Sequence, residues 1–271
     1  MRTRVVLTAT SWLVWRLLAA AAPALAGSPD GAAARGGAAG GASAGTAAQA
    51  PFPGGAGSSG KPAAAAPARY LALGDSYTIG EGVAAAARWP VQLAALLRGR
   101  GLAVGEPEIV ARTGWTTAEL GAGIDAAAPR GPFALVSLLI GVNDQYRGGR
   151  PDEYRTGFAA LLRRAIGFAG GEAGRVVVLS IPDWSVTPFA AESGRDLPRI
   201  AREIGAFNAA NREAARRAGV AYVDVTPASQ RALGDRSLVV ADGLHPAPAM
   251  YAEWARLALP AAAAALAEPR R

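Results

Sequence analysis

Short apolar runs alternate with longer amphipathic stretches from residue 68 to about residue 266. The apolar runs predict five strands, at residues 70–74, 108–111, 134–140, 176–181 and 221–225. The stretches between and after them have apolar positions at helical spacing and predict helices at 89–100, from 116 or 117 onward, 151–168, 198–218 and 247–266. Because strand and helix alternate throughout, the pattern predicts a parallel, doubly wound sheet with helices on both faces.

The first 67 residues lack this pattern. Residues 1–26 begin with Arg2 and Arg4, continue with apolar residues and end in Ala24-Leu25-Ala26, the small-x-small form of a cleavage site. We therefore predict a cleaved export signal and a secreted, periplasmic or cell-envelope protein. Arg16 interrupts the apolar region, which argues against a stable membrane span. An uncleaved anchor, or a mis-assigned start of a cytoplasmic protein, is the alternative.

Residues 27–67 consist almost wholly of Ala, Gly, Ser and Pro. Such a segment cannot bury enough apolar surface to offset the entropy of the chain, so we predict a flexible, disordered tether. Residues 68–271 are then left as one α/β domain.

The composition excludes several kinds of chemistry. The 271 residues contain no cysteine, which rules out disulfides, thiol catalysis, zinc–thiolate sites and a lipid-modified N-terminal cysteine. The formal net charge is +7, but the arginines are scattered over helical stretches rather than gathered in a stripe with interleaved aromatic residues. We therefore expect a solvated basic surface and no nucleic-acid partner.

Polar residues that could be catalytic follow the predicted strands, where parallel sheets gather their reactive groups. Ser76 comes directly after the first strand, in Gly-Asp-Ser, where a hydroxyl would be exposed and the backbone N–H unpaired. That position suits a nucleophile, and it also suits a plain helix cap.

The single histidine of the chain, His245, follows Asp242 by three residues. This separation lets the carboxylate reach the Nδ1–H of the ring and leaves Nε2 free to accept a proton from a hydroxyl. An Asx-turn before a helix that starts near Pro246 would explain the aspartate and the proline, but it leaves the histidine unexplained.

Gly114 and Asn143 follow the second and third strands. An Asn amide at a strand end can donate to an oxyanion beside the N–H groups of Ser76 and Gly114, and a glycine lets a substrate approach the backbone closely. Ordinary turn chemistry accounts for either residue taken alone.

Four short blocks occur in order along the chain: Gly74-Asp75-Ser76, Gly114, Gly141-Val142-Asn143-Asp144 and Asp242-Gly243-Leu244-His245. This set resembles the SGNH hydrolase superfamily, also called GDSL esterases and lipases. The resemblance covers residue 68 to about residue 266. It implies a flavodoxin-like three-layer α/β/α sandwich with a five-stranded parallel sheet, and ester hydrolysis without a metal or cofactor.

The resemblance implies that Ser76 is the nucleophile, His245 the general base and Asp242 its partner. Ser76, Gly114 and Asn143 would form the oxyanion hole. We expect an acyl-enzyme mechanism on a small acyl ester or a lysophospholipid-like substrate, and a monomeric protein. The alternatives are deacetylation of an extracellular glycan, thioester hydrolysis and a non-catalytic binding module.

Aromatic residues on the expected active-site edge could line an acyl or sugar pocket, or could simply pack: Trp115, Tyr146, Trp184 and Phe189. The stretch 183–197, after the fourth strand, is long enough for a lid. A nucleotide-binding flavodoxin-like protein is a further alternative, but Gly80-Glu81-Gly82 lacks the third glycine of a phosphate loop and carries an acid there.

Overall fold

The computed structural model describes residues 66–267. The predicted export signal lies outside this range, and so does the predicted tether except for residues 66 and 67. Both therefore stay predictions. Among the helices of residues 66–267, none is both long enough and apolar enough to cross a membrane.

Five strands form one parallel sheet: β1 (Tyr70–Gly74), β2 (Glu108–Ala111), β3 (Leu135–Leu139), β4 (Val176–Leu179) and β5 (Ala221–Val223). Their order across the sheet is β2-β1-β3-β4-β5, the flavodoxin-like arrangement. The predicted fold class is confirmed. The central strands β1, β3 and β4 are buried along their whole length, as continuous apolar runs predict.

The last three strands are each two residues shorter than the apolar runs predicted. Ile140, Ile181 and Val225 continue these runs beyond the last strand residue, and all three are fully buried. They are apolar because they lie under the loops at the carboxyl edge of the sheet. Hydrophobicity alone cannot distinguish such a buried loop residue from one more residue of the strand.

The helices of residues 66–267 are α1 (Ser76–Ile79), α2 (Trp89–Gly99), α3 (Thr117–Ala127), α4 (Val142–Tyr146), α5 (Pro151–Phe168), α6 (Pro188–Glu192), α7 (Leu197–Ala218), α8 (Thr226–Ser229) and α9 (Pro248–Ala267). Helices α2 and α9 pack against each other, while α5 packs against both α3 and α7. Thr116 caps α3 in a capping box with Glu119. The short helices α1, α4, α6 and α8 were not predicted, because four or five residues are too few to show a helical period.

The strand order reverses direction between β1 and β3, which are neighbours although β2 lies between them in sequence. The last residues of the two strands, Gly74 and Leu139, are paired in register. Because α1 follows β1 and α4 follows β3, the fold brings the segments that contain Ser76 and Asn143 to the same switch point. Ligands of doubly wound sheets bind at such a point.

Candidate active site

Ser76 is the first residue of α1 and comes directly after the end of β1. Asp75 caps this helix, because its Oδ1 accepts the backbone N–H of Tyr77 at 3.0 Å. Within residues 66–267 no acceptor takes the N–H of Ser76. The N–H at the start of α1 is therefore available to a negatively charged atom.

Gly74 lets the chain turn tightly between β1 and α1. A Cβ at this position would overlap the hydroxyl of Thr78 and would lie 2.5 Å from the carbonyl oxygen of Leu139. Only glycine fits this close approach of β1, β3 and α1.

Gly114 lies in the loop between β2 and α3, with a φ of +86°, in the left-handed region that favours glycine. Its carbonyl oxygen accepts a hydrogen bond from Nη2 of Arg147 at 2.7 Å. In the part of the chain that the structure describes, its N–H has no acceptor. The loop thus holds the carbonyl of Gly114 and leaves its N–H free.

Asn143 is buried in the first turn of α4. Its Nδ2 donates to the carbonyl oxygen of Trp115 at 2.9 Å. A side-chain amide carries two N–H groups, so one of them fixes the side chain and the second can serve an anion. Gly141, just before the helix, has a φ of +127°, and a Cβ there would overlap the hydroxyl of Tyr154.

Helix α4 and the residue after it hold the 112–117 loop at two further points. The carboxylate of Asp144 accepts the backbone N–H of Thr117 at 3.0 Å and its hydroxyl at 2.7 Å. Nη1 of Arg147 lies 3.1 Å from the carboxylate of Glu119 while Nη2 binds the carbonyl of Gly114. The second and third sequence blocks therefore form one hydrogen-bonded unit.

The Asp242–His245 turn provides the remaining side chains. Nδ1 of His245 lies 2.5 Å from Oδ2 of Asp242, the contact that their spacing predicts. Oδ1 of the same carboxylate accepts the backbone N–H groups of Leu244 at 2.8 Å and of His245 at 2.9 Å. The ring is thereby oriented through Nδ1, and among residues 66–267 no hydrogen bond engages Nε2.

His245 lies beside the helix that begins with Ser76. Its ring centroid is 5.6 Å from that of Tyr77, the next residue of α1. Ser76 is 4% exposed and His245 is 3% exposed, and no hydrogen bond joins the two side chains in the described range. Bonds of this kind often tighten only in the complex with substrate.

Two acidic residues of the four blocks, Asp242 and Asp75, differ in protonation. Burial by itself would raise the pKa of Asp242, but hydrogen bonds from the ring and backbone of His245 lower this pKa to about 2. Burial raises the pKa of Asp75 to about 8, against the hydrogen bond from Tyr77 and with a contribution from the charge of Asp144. At neutral pH Asp242 is therefore ionised and Asp75 is largely neutral.

Three of the four aromatic residues singled out in the sequence form a cluster. The ring centroid of Trp184 is 5.5 Å from that of Tyr146 and 6.1 Å from that of Phe189. The N–H of Phe189 donates to the carbonyl of Gly243 at 3.0 Å, so the cluster links α4 to the Asp242–His245 turn. Trp184 is 2% exposed, which favours packing as its role.

Trp115 lies apart from this cluster. Its ring covers Gly123 of α3 so closely that a Cβ on the glycine would overlap it. Its main contribution to the site is the carbonyl oxygen that binds Asn143. Contact of Trp115, Tyr146 or Trp184 with a substrate stays a prediction.

Within residues 66–267 no group of three or more His, Asp or Glu side chains is placed to hold a metal ion. The stretch 183–197, a possible lid by its length, contains α6 and a 3-10 turn at Trp184–Val186.

The model of the GDSL-like lipase/acylhydrolase family matches residues 72–253, well over half of the chain. The chain belongs to this family. The family predicted from the four blocks is therefore confirmed. This GDSL-like protein is a hydrolase that acts on esters. No curated protein matches the sequence.

Solved structures share the fold of this GDSL-like hydrolase at low identity. TesA is 23% identical, with a TM-score of 0.55 over 71% of this chain and 97% of that chain. Axe2, an acetylxylan esterase from Geobacillus stearothermophilus, is 19% identical, with a TM-score of 0.54 over 73% and 94%. The psychrotrophic esterase EstA from Pseudoalteromonas sp., in a structure inhibited by monoethylphosphonate, is 17% identical, with a TM-score of 0.53 over 70% and 93%. These similarities show the fold.

Sequence reasoning missed two residues that hold the site together. Arg147 binds the carbonyl of Gly114, and Thr117 binds Asp144. Thr117 had a partial signal, because residue 117 is one of the two predicted starts of the helix after the second block. Arg147 had none, because an arginine in a polar loop is indistinguishable from a surface residue until the loop it contacts is known.

Proposed function

We propose that this GDSL-like hydrolase is a serine esterase that cleaves small acyl esters or lysophospholipid-like substrates through an acyl-enzyme. Ser76 Oγ attacks the ester carbonyl carbon while Nε2 of His245 accepts the hydroxyl proton. The ester C–O bond breaks, and the alcohol leaves with that proton. Water then attacks the acyl-serine with His245 again as base, which releases the carboxylic acid and restores the serine.

The observation that carries this proposal is the 2.5 Å contact between Oδ2 of Asp242 and Nδ1 of His245. It fixes the tautomer that leaves Nε2 free to accept a proton. Because the pKa of Asp242 is about 2, the carboxylate is ionised wherever the enzyme would work and can stabilise the imidazolium formed during attack.

Three donors support an oxyanion hole beside this pair. The N–H groups of Ser76 and Gly114 have no acceptor among residues 66–267, and Asn143 is anchored by only one of its two amide hydrogens. Donors that are fixed in advance stabilise the tetrahedral oxyanion without a cost of reorganisation.

The test is hydrolysis of p-nitrophenyl acetate, butyrate and decanoate by the full chain and by its Ser76→Ala and His245→Ala variants. We expect both substitutions to lower kcat by about 10³-fold or more while the circular dichroism spectrum is unchanged. Ser237→Ala, at an exposed serine outside the four blocks, is the matched control and should keep full activity. Activity that survives either substitution would contradict the proposed triad.

The same assay includes acetylated xylan and an acyl thioester, since glycan deacetylation and thioester hydrolysis are open to the same chemistry. A parent protein that cleaves none of these compounds would favour the non-catalytic binding module.

A further inference from the structure

A cavity of about 500 Å³ lies between α4 and the starts of α5 and α7. Its charged and polar lining includes Gln145, Arg150, Arg195, Asp196, Arg199 and Glu203. We propose that this cavity binds an anionic group, a carboxylate or a phosphate, that is carried by the ester substrate. The proposal rests on the proposed function and names a class of substrate for it.

The cavity has an excess of positive charge that its own acids do not neutralise. Nε of Arg199 pairs with Oε1 of Glu203 at 2.7 Å, and Gln145 donates to the other oxygen of that carboxylate at 2.8 Å. Asp196 is engaged as the cap of α7, where it accepts the backbone N–H of Arg199 at 2.9 Å. In the described part of the chain neither Arg150 nor Arg195 forms an ion pair with a carboxylate.

Arg195 is held in place by an aromatic ring rather than by an acid. Its guanidinium carbon lies 4.0 Å from the ring centroid of Tyr146, and its Nη1 donates to the carbonyl oxygen of the same residue at 3.1 Å. A stacked guanidinium keeps a planar set of N–H donors that matches a carboxylate or phosphate in a bidentate manner. Because this stacking already restricts the side chain of Arg195, little further side-chain entropy is lost when an anion binds to it.

The start of α5 forms one wall of the cavity. Gly149, Arg150 and Pro151 line it, and α5 begins at Pro151 without a side-chain cap. The first turn of α5 also carries Asp152 and Glu153, which offset the positive end of the helix dipole. The positive charge that the cavity offers to an anion therefore comes from its arginines.

The cavity adjoins the helix that carries a proposed oxyanion donor. Asn143, the proposed donor, and Tyr146, which lines the cavity, both belong to α4 and are three residues apart. At about 1.5 Å per residue this separation is about 4.5 Å along the helix axis. The proposal therefore requires an ester long enough to carry its anion several bonds from the carbonyl, on either its acyl or its alcohol side, to Arg195.

Binding to the full-length Ser76→Ala protein tests the proposal without requiring turnover. Calorimetry would compare mono-p-nitrophenyl glutarate with p-nitrophenyl butyrate, and 1-butyrylglycerol 3-phosphate with 1-butyrylglycerol. We expect the anionic member of at least one pair to bind about tenfold more tightly, as charge-assisted hydrogen bonds do, and we expect this preference to weaken with salt. The carboxylate pair probes the acyl side, and the phosphate pair probes the alcohol side.

Variants then assign the preference to the cavity. Arg150→Gln and Arg195→Gln should remove most of the preference for the anion and leave the binding of the neutral esters unchanged. Arg195→Lys, which keeps the charge, should retain part of it. Arg163→Gln on α5 removes an exposed arginine that does not line the cavity and should have no effect.

Equal binding of the charged and neutral members of both pairs would overturn the proposal, and so would an equal effect of Arg163→Gln. Inorganic phosphate that binds as tightly as the phosphorylated ester would overturn the substrate assignment and leave a simple anion site. Failure of the proposed function is separate, because it would appear as the absence of p-nitrophenyl butyrate hydrolysis by the parent whatever the binding data show.

Discussion

Nδ2 of Asn143 donates a hydrogen bond to the carbonyl oxygen of Trp115, 2.9 Å away. This contact joins α4, the helix that follows β3, to the loop after β2, one residue from Gly114. A side-chain donor and a backbone donor of the proposed oxyanion hole are thereby fixed relative to each other before any substrate arrives. Their geometry does not depend on the flexibility of the loop alone.

The first prediction is that Asn143→Ala lowers kcat for p-nitrophenyl butyrate by about 10²–10³-fold, the usual cost of removing one oxyanion donor. The variant should also lose about 1 kcal/mol of unfolding free energy, because the hydrogen bond between the Asn143 side chain and the carbonyl of Trp115 is lost. Steady-state kinetics and urea unfolding measure the two effects.

Asn208→Ala is the matched control for this experiment. Asn208 is also a buried amide that donates to a carbonyl after a strand, that of Ile181 at 2.9 Å, but it belongs to α7 and to none of the four blocks. We expect it to lose stability and to keep its kcat. A comparable fall in kcat for Asn208→Ala would mean that the Asn143 effect reflects loosening of the fold.

The second prediction concerns Arg147, which binds the carbonyl of Gly114 at 2.7 Å and the carboxylate of Glu119. Arg147→Ala should lower kcat about tenfold and leave KM within about twofold, because it releases the glycine whose N–H serves only the transition state. Added guanidinium ion should restore part of the lost activity.

Arg164→Ala is the corresponding control. Arg164 makes the same pair of contacts elsewhere, to the carbonyl of Gly121 at 3.0 Å and to the carboxylate of Asp125 at 2.6 Å. It should leave kcat unchanged. If the two variants lose activity equally, or if guanidinium rescues neither, Arg147 is not a positioning residue for Gly114.

The placement of Ser76 and Asn143 was predictable because the topology of a parallel sheet determines it. Short polar segments after buried strands lie at one edge of the sheet. Because β1 and β3 are adjacent strands, the segments that follow them lie next to each other. The Asp242–His245 contact was predictable for a different reason, since three residues around a glycine suffice to bring the carboxylate to the ring.

The contacts that stabilise the site were not predictable in this way. Arg147, Asp144 and Thr117 meet only because α4 lies against the loop after β2, and neither α4 nor that loop has a periodic signal. The aromatic residues gave an ambiguous signal. The sequence around Trp184 does not distinguish a tryptophan that packs in an aromatic cluster from one that lines a substrate pocket. Only its burial and its hydrogen bond to Gln145 at 2.9 Å favour packing.

The third prediction uses the pKa of Asp75, which burial raises from 3.8 to about 8. The native state keeps this proton up to about pH 8, whereas the unfolded chain loses it near pH 4. The contribution of Asp75 to stability is therefore complete below about pH 4 and is lost as the pH rises through 8. The Asp75→Asn variant keeps a side-chain oxygen for the N–H of Tyr77 and carries no charge at this position at any pH.

The urea midpoint of the parent should therefore fall relative to that of Asp75→Asn between pH 5 and pH 8. Above pH 8 the difference between the two midpoints should be constant. Asp235→Asn is the matched control, because exposed Asp235 accepts the N–H of Ser237 at 3.0 Å in the same capping geometry. Hydrogen bonds to Ser237 lower the pKa of Asp235, so its variant should show no trend over this range. A pH-independent difference for Asp75→Asn would show that the buried carboxyl does not titrate near pH 8.

The last prediction separates the two roles of Asp242. Asp242→Asn should lower kcat by about 10³–10⁴-fold, because an amide can donate to Nδ1 and so favours the wrong tautomer of His245. The pKa of Asp242 is lowered from 3.8 to about 2 in the folded protein, so its contribution to stability is present above pH 4 and is lost as the pH falls through 2. The difference in urea midpoint between the parent and Asp242→Asn should thus be largest at neutral pH and should shrink towards pH 2. A loss of kcat with no such shrinkage would mean that the carboxylate orients the histidine without stabilising the fold.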